Sequence, residues 1–510
     1  MRRESGFVAL FMPAGKVSKM SLRKRLFTTA SKFVGKRDLA YPAAGNGPRS
    51  AGWGSSTTGP NSALNNALDT LRRRARQEVR TNTWAAAGID TIVINVVGSG
   101  IRPMHKNSDI VEKWVAWSHE CDAHSYTNFA GLQALVMRSV AEAGECFVRI
   151  RPRRPTDGLT VPLQLEVMEA EMVPASMSRT LANGNEIVAG IEFNKIGARV
   201  AYHVYKTHPG DGVAFSLTDT VRVPANRILH VRLIHRPGAV RAEPWLTKAL
   251  VKLKDLDAYD DATLVKAKVS ALFGGFIHAP GNSDEDDEVI AGLTPERHPD
   301  DDDVVIDPLE PGSFPVLPPG YDVKFSNPPD VGSTYAVFMQ TQLRSIATSL
   351  GITYEQLTGD FSGVNDRIIR ASLLEFKRRA RMWQQQLLVH QFCRPVWQQF
   401  MNLGLLAGEF STRDEGFETD PEWIPEAWEY LNPSQEIDAL RKEVEGGFAS
   451  RSEVIQSRAK DPVAVDEQIA KDNERADGLG LMHTSDGRYS KFEDIGAPSD
   501  GETLDENEGN

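Results

Sequence analysis

Three clusters in this 510-residue sequence hold residue types able to do chemistry. His119-Glu120 with His124 imitates the zinc-protease signature, in which two imidazoles four residues apart on one helix face hold the metal. Here the spacing is five, about 500° around a helix, so the two rings do not stack on one face and no metal is expected. Gly98-Ser99-Gly100 invites a phosphate-loop reading. No third glycine follows at the dinucleotide spacing, and no Gly-Lys-Ser/Thr run occurs in the chain, so packing and turning of the backbone are the expected reasons for these glycines. The third cluster is acidic, Ser283 to Glu288 and Asp300 to Asp303. Its spacing matches no EF-hand loop and puts no glycine at the turn position, and a two-metal nuclease needs ligands converging from rigid elements. Solvated loops that repel stray polyanions are the expected reading; a metal-dependent nucleic-acid enzyme using the Asp/Glu cluster at 284–303 is the alternative. His230 and His235 have no partner nucleophile and are read as satisfied sheet residues. No catalytic, cofactor-binding or metal-ligating residue is nominated, and no cofactor is expected.

One polar, glycine-punctuated connector stands out for a different reason. Gly359-Asp360-Phe361-Ser362-Gly363-Val364-Asn365 lies between two segments of strong helical period. Ahead of it Tyr335, Phe338, Met339, Leu343, Ile346 and Leu350 recur at three and four residues and stop at Gly351. Behind it Asn365-Asp366 suits a helix cap, and Ile369, Leu373, Phe376, Ala380, Trp383 and Leu387 hold one face as far as Pro395, roughly 43 Å at 1.5 Å per residue. Arg367, Arg370, Lys377, Arg378, Arg379 and Arg381 ride on this second helix. Such a basic run either presents contacts to a polyanion or forms a solvated face paired with nearby acids.

The remaining elements frame this core. The length calls for two or more domains. A net charge of −11 argues against wholesale coating of nucleic acid. Cys121, Cys146 and Cys393 show no paired or metal-type spacing, which implies a reducing compartment. No apolar run approaches the roughly 20 residues that cross a bilayer. Phe7 to Met12 is too short a core for a signal peptide. Residues 1–106 are basic and the tail after Asp461 is acidic. Residues 40–62 carry no period and read as an extended arm. A helix with Leu64, Leu68 and Leu71 and the apolar run Ile89 to Val97 come next. Trp114, Trp117, Tyr126, Phe129, Leu132, Leu135, Val136 and Val140 then predict two packed helices. Cys146–Ile150, Leu163–Val167, Ile187–Phe193, Arg199–Tyr205 and Ile228–Val231 read as strands of a mixed sheet domain. Leu246, Leu250, Leu253, Leu256, Leu264 and Val269 predict one helix of roughly 40 Å reaching Leu272. Past Gly408, Trp423, Trp428 and Tyr430 are expected to pack back on the sheet domain. Helices then open at Asn432 or Ser434 and end near Gly480. The fold class is α+β.

Ile346-Ala347 through Leu357-Thr358-Gly359-Asp360-Phe361-Ser362, Arg370-Ala371-Ser372-Leu373-Leu374-Glu375-Phe376 and Cys393-Arg394-Pro395-Val396-Trp397 resemble the portal family of lambda-type tailed bacteriophages. Arg74-Ala75-Arg76 with Asn82 and Asn95-Val96-Val97-Gly98-Ser99-Gly100-Ile101 resemble its other signature in the same order, so the similarity covers roughly residues 40 to 480. Met20 to Phe27 resembles the family's start, which makes the first nineteen residues an upstream extension. The resemblance implies a structural protein with no enzymatic activity of its own. It forms a homo-oligomeric ring, usually a homododecamer, at one capsid vertex of the virion, assembled in the host cytoplasm. Double-stranded DNA is packaged and ejected through it, driven by a separate motor.

Laid on this chain, the resemblance gives a basic N-terminal arm (1–61), a wing domain (62–245), stem helices (246–272 and 333–351) and an acidic, proline-rich clip (273–332). A tunnel loop (352–366), a long wing helix with its return (367–430), a helical crown (431–480) and a disordered acidic tail (481–510) complete it. Implied partners are the duplex DNA, the terminase large subunit, the head–tail connector and the major capsid or scaffold protein, with no membrane. The connector Gly359 to Asn365 becomes a DNA-channel loop. Arg367, Arg370, Lys377 and Arg378 become DNA or subunit contacts.

Overall fold

The computed structural model describes residues 54, 56–211, 219–272, 332–414, 416–430 and 432–483, with short strands at 277–278, 296–298, 301–306 and 316–317. Helices α1 (Pro60–Asn65), α2 (Leu68–Thr81) and α3 (Thr83–Val97) come first. Asn82 separates the last two. Its backbone is extended, and its side-chain oxygen accepts from the N–H groups of Trp84 (3.0 Å) and Ala85 (3.2 Å), capping α3. α3 ends at Gly98, whose φ of 54° suits a residue without Cβ. A Cβ there would overlap the Glu426 carboxylate, which accepts from the Ser99 N–H at 2.6 Å. The glycine pair therefore turns the chain and admits one of its own carboxylates, as expected.

β1 (Arg102–Met104) leads to α4 (Ser108–Ser118) and α5 (Phe129–Ala143), the two packed helices predicted. Trp114 is their hinge, its ring 4.8 Å from Trp117, 5.0 Å from Phe129 and 5.1 Å from Trp397. Tyr126 and Leu135, expected in this core, are exposed. Tyr126 falls in the loop that Asp122 ties, its carboxylate accepting from the backbone of His124, Tyr126 and Thr127. α4 stops at Ser118, so His119, Glu120 and His124 never share a helix, and the Glu120 carboxylate accepts from the Thr160 N–H.

Two antiparallel sheets follow. The first has the order β3-β2-β9, from β2 (Glu145–Pro152), β3 (Leu163–Met168) and, later in the chain, β9 (Ile228–Arg232). The second is a meander of β4 (Arg179–Thr180), β5 (Glu186–Val188), β6 (Ile191–Phe193), β7 (Arg199–Tyr205) and β8 (Thr220–Pro224). Ile187 to Phe193, read as one strand, is a hairpin. Val188 pairs with Ile191, and Ala189 and Gly190 both take positive φ (51° and 83°), the backbone of a tight two-residue hairpin turn.

α6 (Leu250–Leu272) begins after a 3₁₀ turn at Trp245–Lys248 rather than at Leu246. Strands β10 (Ile277–His278), β11 (Glu296–His298), β12 (Asp301–Ile306) and β13 (Val316–Leu317) pair as β10-β13 and β11-β12. The acids at 284–288, the proline-rich run beyond Ile306, most of the arm 1–61 and the tail beyond 483 lie outside the described residues. Then come α7 (Gly332–Leu350), α8 (Tyr354–Thr358), α9 (Asp366–Trp383), a π-helix (Gln384–Cys393) and α10 (Arg394–Ala407). β14 (Glu422–Ile424) pairs with β1, and α11 (Pro433–Glu445), α12 (Arg451–Ser457) and α13 (Pro462–Leu479) close the described chain. The fold is thus mixed α and β. One buried apolar cluster joins α3 to α6, β2, β3 and the whole run from α7 to α10; a smaller one lies between β2, β7 and β9 around Phe147, Tyr202 and Val204.

Candidate functional site: the paired long helices and their loop

α6 and α7 lie side by side and antiparallel. Lys252 Nζ donates to Ser345 Oγ at 2.7 Å near one end; toward the other the Tyr335 hydroxyl donates to Asp260, and the Tyr259 ring lies 4.8 Å from Phe338. Leu250, Leu253 and Leu256 on α6 and Leu343, Ile346 and Leu350 on α7 are buried, because residues three and four apart share a helix face; on α6 the buried part ends at Leu256. Other apolar side chains are exposed: Val251 and Val265 on α6 and Val337 on α7 lie off these stripes, and Leu264 lies on the α6 stripe beyond Leu256, where the buried part ends.

α7 stops at Gly351 (φ 77°), as the sequence predicts. Thr353 and Gln356 then form a reciprocal capping box that opens α8: Thr353 Oγ1 accepts from the Gln356 N–H and Gln356 Oε1 from the Thr353 N–H, both at 3.1 Å. α8 closes at Gly359 (φ 69°). From there the loop is built by hydrogen bonds around one carboxylate. Asp360 accepts from the Ser362 N–H (2.9 Å) and hydroxyl (2.6 Å) and from the Tyr354 hydroxyl (3.1 Å). Those donors, Ser362 first, hold the Asp360 carboxyl below its usual range. Phe361 at the tip is 60% exposed, Gly363 takes φ 71°, and Asn365 caps α9 by accepting from the Arg367 N–H at 3.0 Å.

The rod behind the loop is longer than expected. α9 runs into the π-helix and then α10, ending at Gly408, and Pro395 does not stop it. The reason is local. In the π stretch the Arg394 N–H bonds the Val389 carbonyl five residues back, so Pro395 sits in the first turn of α10, where a missing N–H is least felt. The rod is pinned through Gln384, buried, whose amide donates to the Val96 carbonyl of α3 at 3.0 Å, and through Trp383, 4.7 Å from Trp245.

The basic side chains on this rod divide. Arg378 pairs with Glu375 on its own helix at 2.7 Å, and Lys377 lies 5.3 Å from the centre of the Trp428 ring, so both follow the packed or solvated reading. Arg367 is exposed beside the loop and Arg370 is half-buried one turn on. Trp428 packs on Phe376, and Trp423, in the strand β14 that pairs with β1, packs on Trp397 and Trp114, while Arg458 covers Tyr430.

Of the strongest electrostatic feature among the described residues the sequence marks only His230, as a satisfied sheet residue; it lies in β9 and bonds Glu145. Glu145, at the start of β2, is fully buried and accepts from Arg72 Nη2, from Arg241 Nε (2.5 Å), from His230 Nε2 (2.8 Å) and from the Ala242 N–H (3.2 Å). Burial alone pushes its carboxyl up; Arg241, Arg72 and His230 outweigh that and hold it well below the carboxylate range. Burial holds His230 neutral, its pKa pushed down to about 3. Since the carboxylate only accepts, the imidazole donates from Nε2. Arg241 also donates to the carbonyls of Val173, Ala189 and Ala170, so this group joins the two sheets to α2. Arg76 similarly neutralises Glu169 (3.2 Å) and Glu171 (2.9 Å), the acids that with His208 make the one metal-compatible cluster among the described residues.

Residues 46–384 match the family described as phage portal protein, lambda family. The probable portal protein of Halomonas phage phiHAP-1 is 25% identical over 438 residues, spanning 81% of this chain and 82% of that protein. Portal protein B of Escherichia phage lambda is 23% identical over 339 residues (59% of this chain, 62% of that one), and the portal protein of Escherichia phage N15 24% identical over 365 residues (65% and 68%). A chain from the virion of a native gene transfer agent particle is 14% identical, spans 76% of this chain and 92% of its own, and superposes with a TM-score of 0.42. A chain from the neck of the native particle, computed with C12 symmetry, gives 14%, 75%, 92% and 0.41.

The chain therefore belongs to the phage portal proteins, structural components of the virion. Within them it is a member of the lambda family.

Proposed function

We propose that copies of this chain form a homo-oligomeric ring, a dodecamer by family resemblance, at one vertex of the capsid. In it α6 and α7 line a channel through which double-stranded DNA is packaged and ejected. The observation that carries this reading is the α6–α7 pair. Two long antiparallel helices bury only part of their length on their own core and leave Val251, Leu264, Val265 and Val337 exposed, as helices covered by neighbours do. The segment 273–332, which leaves α6 and returns in α7, is the clip that meets the terminase large subunit and the head–tail connector. Residues 62–245 with the rod 367–407 and its return to 430 form the wing, 431–480 the crown facing the capsid interior and the major capsid or scaffold protein. The loop Gly359 to Asn365 reaches toward the DNA, with Arg367 and Arg370 behind it at DNA or at the next subunit.

Negative-stain imaging and native mass measurement of purified protein test the ring; a product that stays monomeric under every assembly condition overturns it. Deleting Asp360 to Val364 is expected to leave assembly intact and impair packaging or retention of DNA, and an unchanged genome yield removes the loop's role. Arg370→Glu is expected to weaken either the ring or DNA passage. Metal-dependent cleavage of DNA that disappears in Asp301→Asn/Asp303→Asn would favour the enzyme reading instead.

A further inference from the structure

The second sheet edge carries an arginine-rich groove that the channel reading does not use. Along β2 and just past its end, Arg149, Arg151 and Arg153 alternate with Ile150 and Pro152. Ile150 is buried, while the three arginines are half-exposed on the opposite face of the strand. Across from them Arg222 on β8 and Arg227 in the following 3₁₀ turn are exposed, and the space between is a groove of about 490 Å³. Among the described residues five guanidiniums line it and no carboxylate does. Two acids approach from beside it. Glu166 lies 2.8 Å from Arg151 and 3.8 Å from Arg149, and Glu192 lies 2.7 Å from Arg222. Arg153 donates to the neutral Gln164 at 2.8 Å, and neither it nor Arg227 meets a carboxylate among the described residues. In a chain of net charge −11, this is a concentrated basic site.

We propose that this groove binds the phosphate backbone of duplex nucleic acid, a contact separate from the channel. Residues two apart on a strand recur at roughly 6.6 Å, so the β2 arginines offer a straight, regular row of forked donors. A phosphodiester chain presents an obligatory regular row of charges; an acidic peptide does not. Among the described residues the lining includes Ile150, Pro152, Val221, Val223 and Pro224 but no aromatic ring on which an unpaired base would stack, which points to duplex rather than single strand and to binding without sequence preference.

The test uses the full chain in whatever oligomeric form it purifies, with a fluorescent 30-base-pair duplex of arbitrary sequence followed by anisotropy across 50 to 200 mM salt. Arg153→Glu/Arg227→Glu leaves the Glu166 and Glu192 pairs intact. It is expected to weaken binding at least tenfold at the lowest salt and to flatten the slope of log affinity against log salt by about 1.8, two phosphate contacts' worth. Arg153→Lys/Arg227→Lys keeps the charges and is expected to keep the slope, which separates charge loss from misfolding. An unchanged slope in the Glu variant overturns the proposal. So does a Glu variant that changes the size of the assembly while binding DNA normally, since the groove would then serve protein contact. Because the measurement reads DNA on any species, a monomeric product would defeat the ring and leave this result standing.

Discussion

Neutralising Glu145 is the most severe single change the structure identifies. Glu145→Gln keeps the shape of the side chain and removes the charge that Arg72 and Arg241 share, two guanidiniums each 1% exposed. The amide oxygen can take only one of the two acceptor positions, so its NH₂ faces either Arg72 and Arg241, which share Oε1, or His230 and the Ala242 N–H, which share Oε2. Removing one partner of a buried charge group typically costs 3–5 kcal/mol, because the remaining charge stays buried without its counterion. With two cations left rather than one, about 5 kcal/mol is expected here. Urea unfolding followed by tryptophan fluorescence should show the midpoint shifted strongly downward. A companion variant, Arg72→Met/Glu145→Leu/Arg241→Met/His230→Phe, should not recover the loss, because it strips the donors from the Val173, Ala189, Ala170 and Ala143 carbonyls and the acceptor from the Ala242 N–H. If Glu145→Gln unfolds within about 1 kcal/mol of the parent, the account of a charged carboxylate holding two buried cations is wrong.

The same group sets the acid side of the stability profile. His230 has a folded pKa of about 3 against roughly 6.5 unfolded, so below pH 6.5 the unfolded chain takes up a proton the native one refuses. Stability attributable to it is full above 6.5 and falls by about 1.4 kcal/mol per pH unit on the way down to 3; the difference between the parent and His230→Gln, measured by urea unfolding from pH 7 to pH 5, should show about 2 kcal/mol of excess loss in the parent. Gly351→Ala is expected to cost 1 kcal/mol or more, since φ there is 77° and the added methyl overlaps the Arg379 guanidinium; thermal unfolding no different from the parent would remove the claim that this glycine ends α7 by conformation. Gln384→Leu leaves the Val96 carbonyl buried without its donor, for about 1–3 kcal/mol, and hydrogen exchange at the π-helix should accelerate; unchanged exchange would show that the amide does not pin the rod.

What the sequence reveals here is what local chemistry decides. Gly351, Gly359, Asn365 and Gly408 mark helix ends because a positive φ or a capping side chain is a property of one residue and its neighbours. The α6–α7 pair is visible because periodicity survives in isolation. The Glu145 group is invisible for the opposite reason, its arginines lying 73 positions before and 96 after it in the chain. Nothing in an alternating strand marks one glutamate as buried. The π stretch escapes for a related reason: its wider turns depend on neighbours the periodicity does not see, including Gln391, whose amide donates to the Arg232 carbonyl of β9 and whose oxygen accepts from the Arg232 N–H. Pro395 then reads as a stop when it is the first turn of a continuation. The hairpin at Ala189-Gly190 did carry a signal, a glycine between two short apolar runs.

These caps and pins determine how the loop at 359–365 is held. Its entry is fixed by α8, whose Leu357 is buried and whose capping box follows directly from α7; its exit is fixed by α9, whose Phe376 is buried against the same core. Seven residues joining two anchored ends have few ways to move independently of both helices. Asp360 removes more of that freedom by accepting from Ser362 and Tyr354, and what remains projecting is Phe361. An aromatic ring 60% exposed at the tip of a tied turn contributes little burial to its own chain. Its presence there fits a contact made outside the protomer, and the rigidity of its support means that such a contact would be felt at the ends of α7 and α9 together.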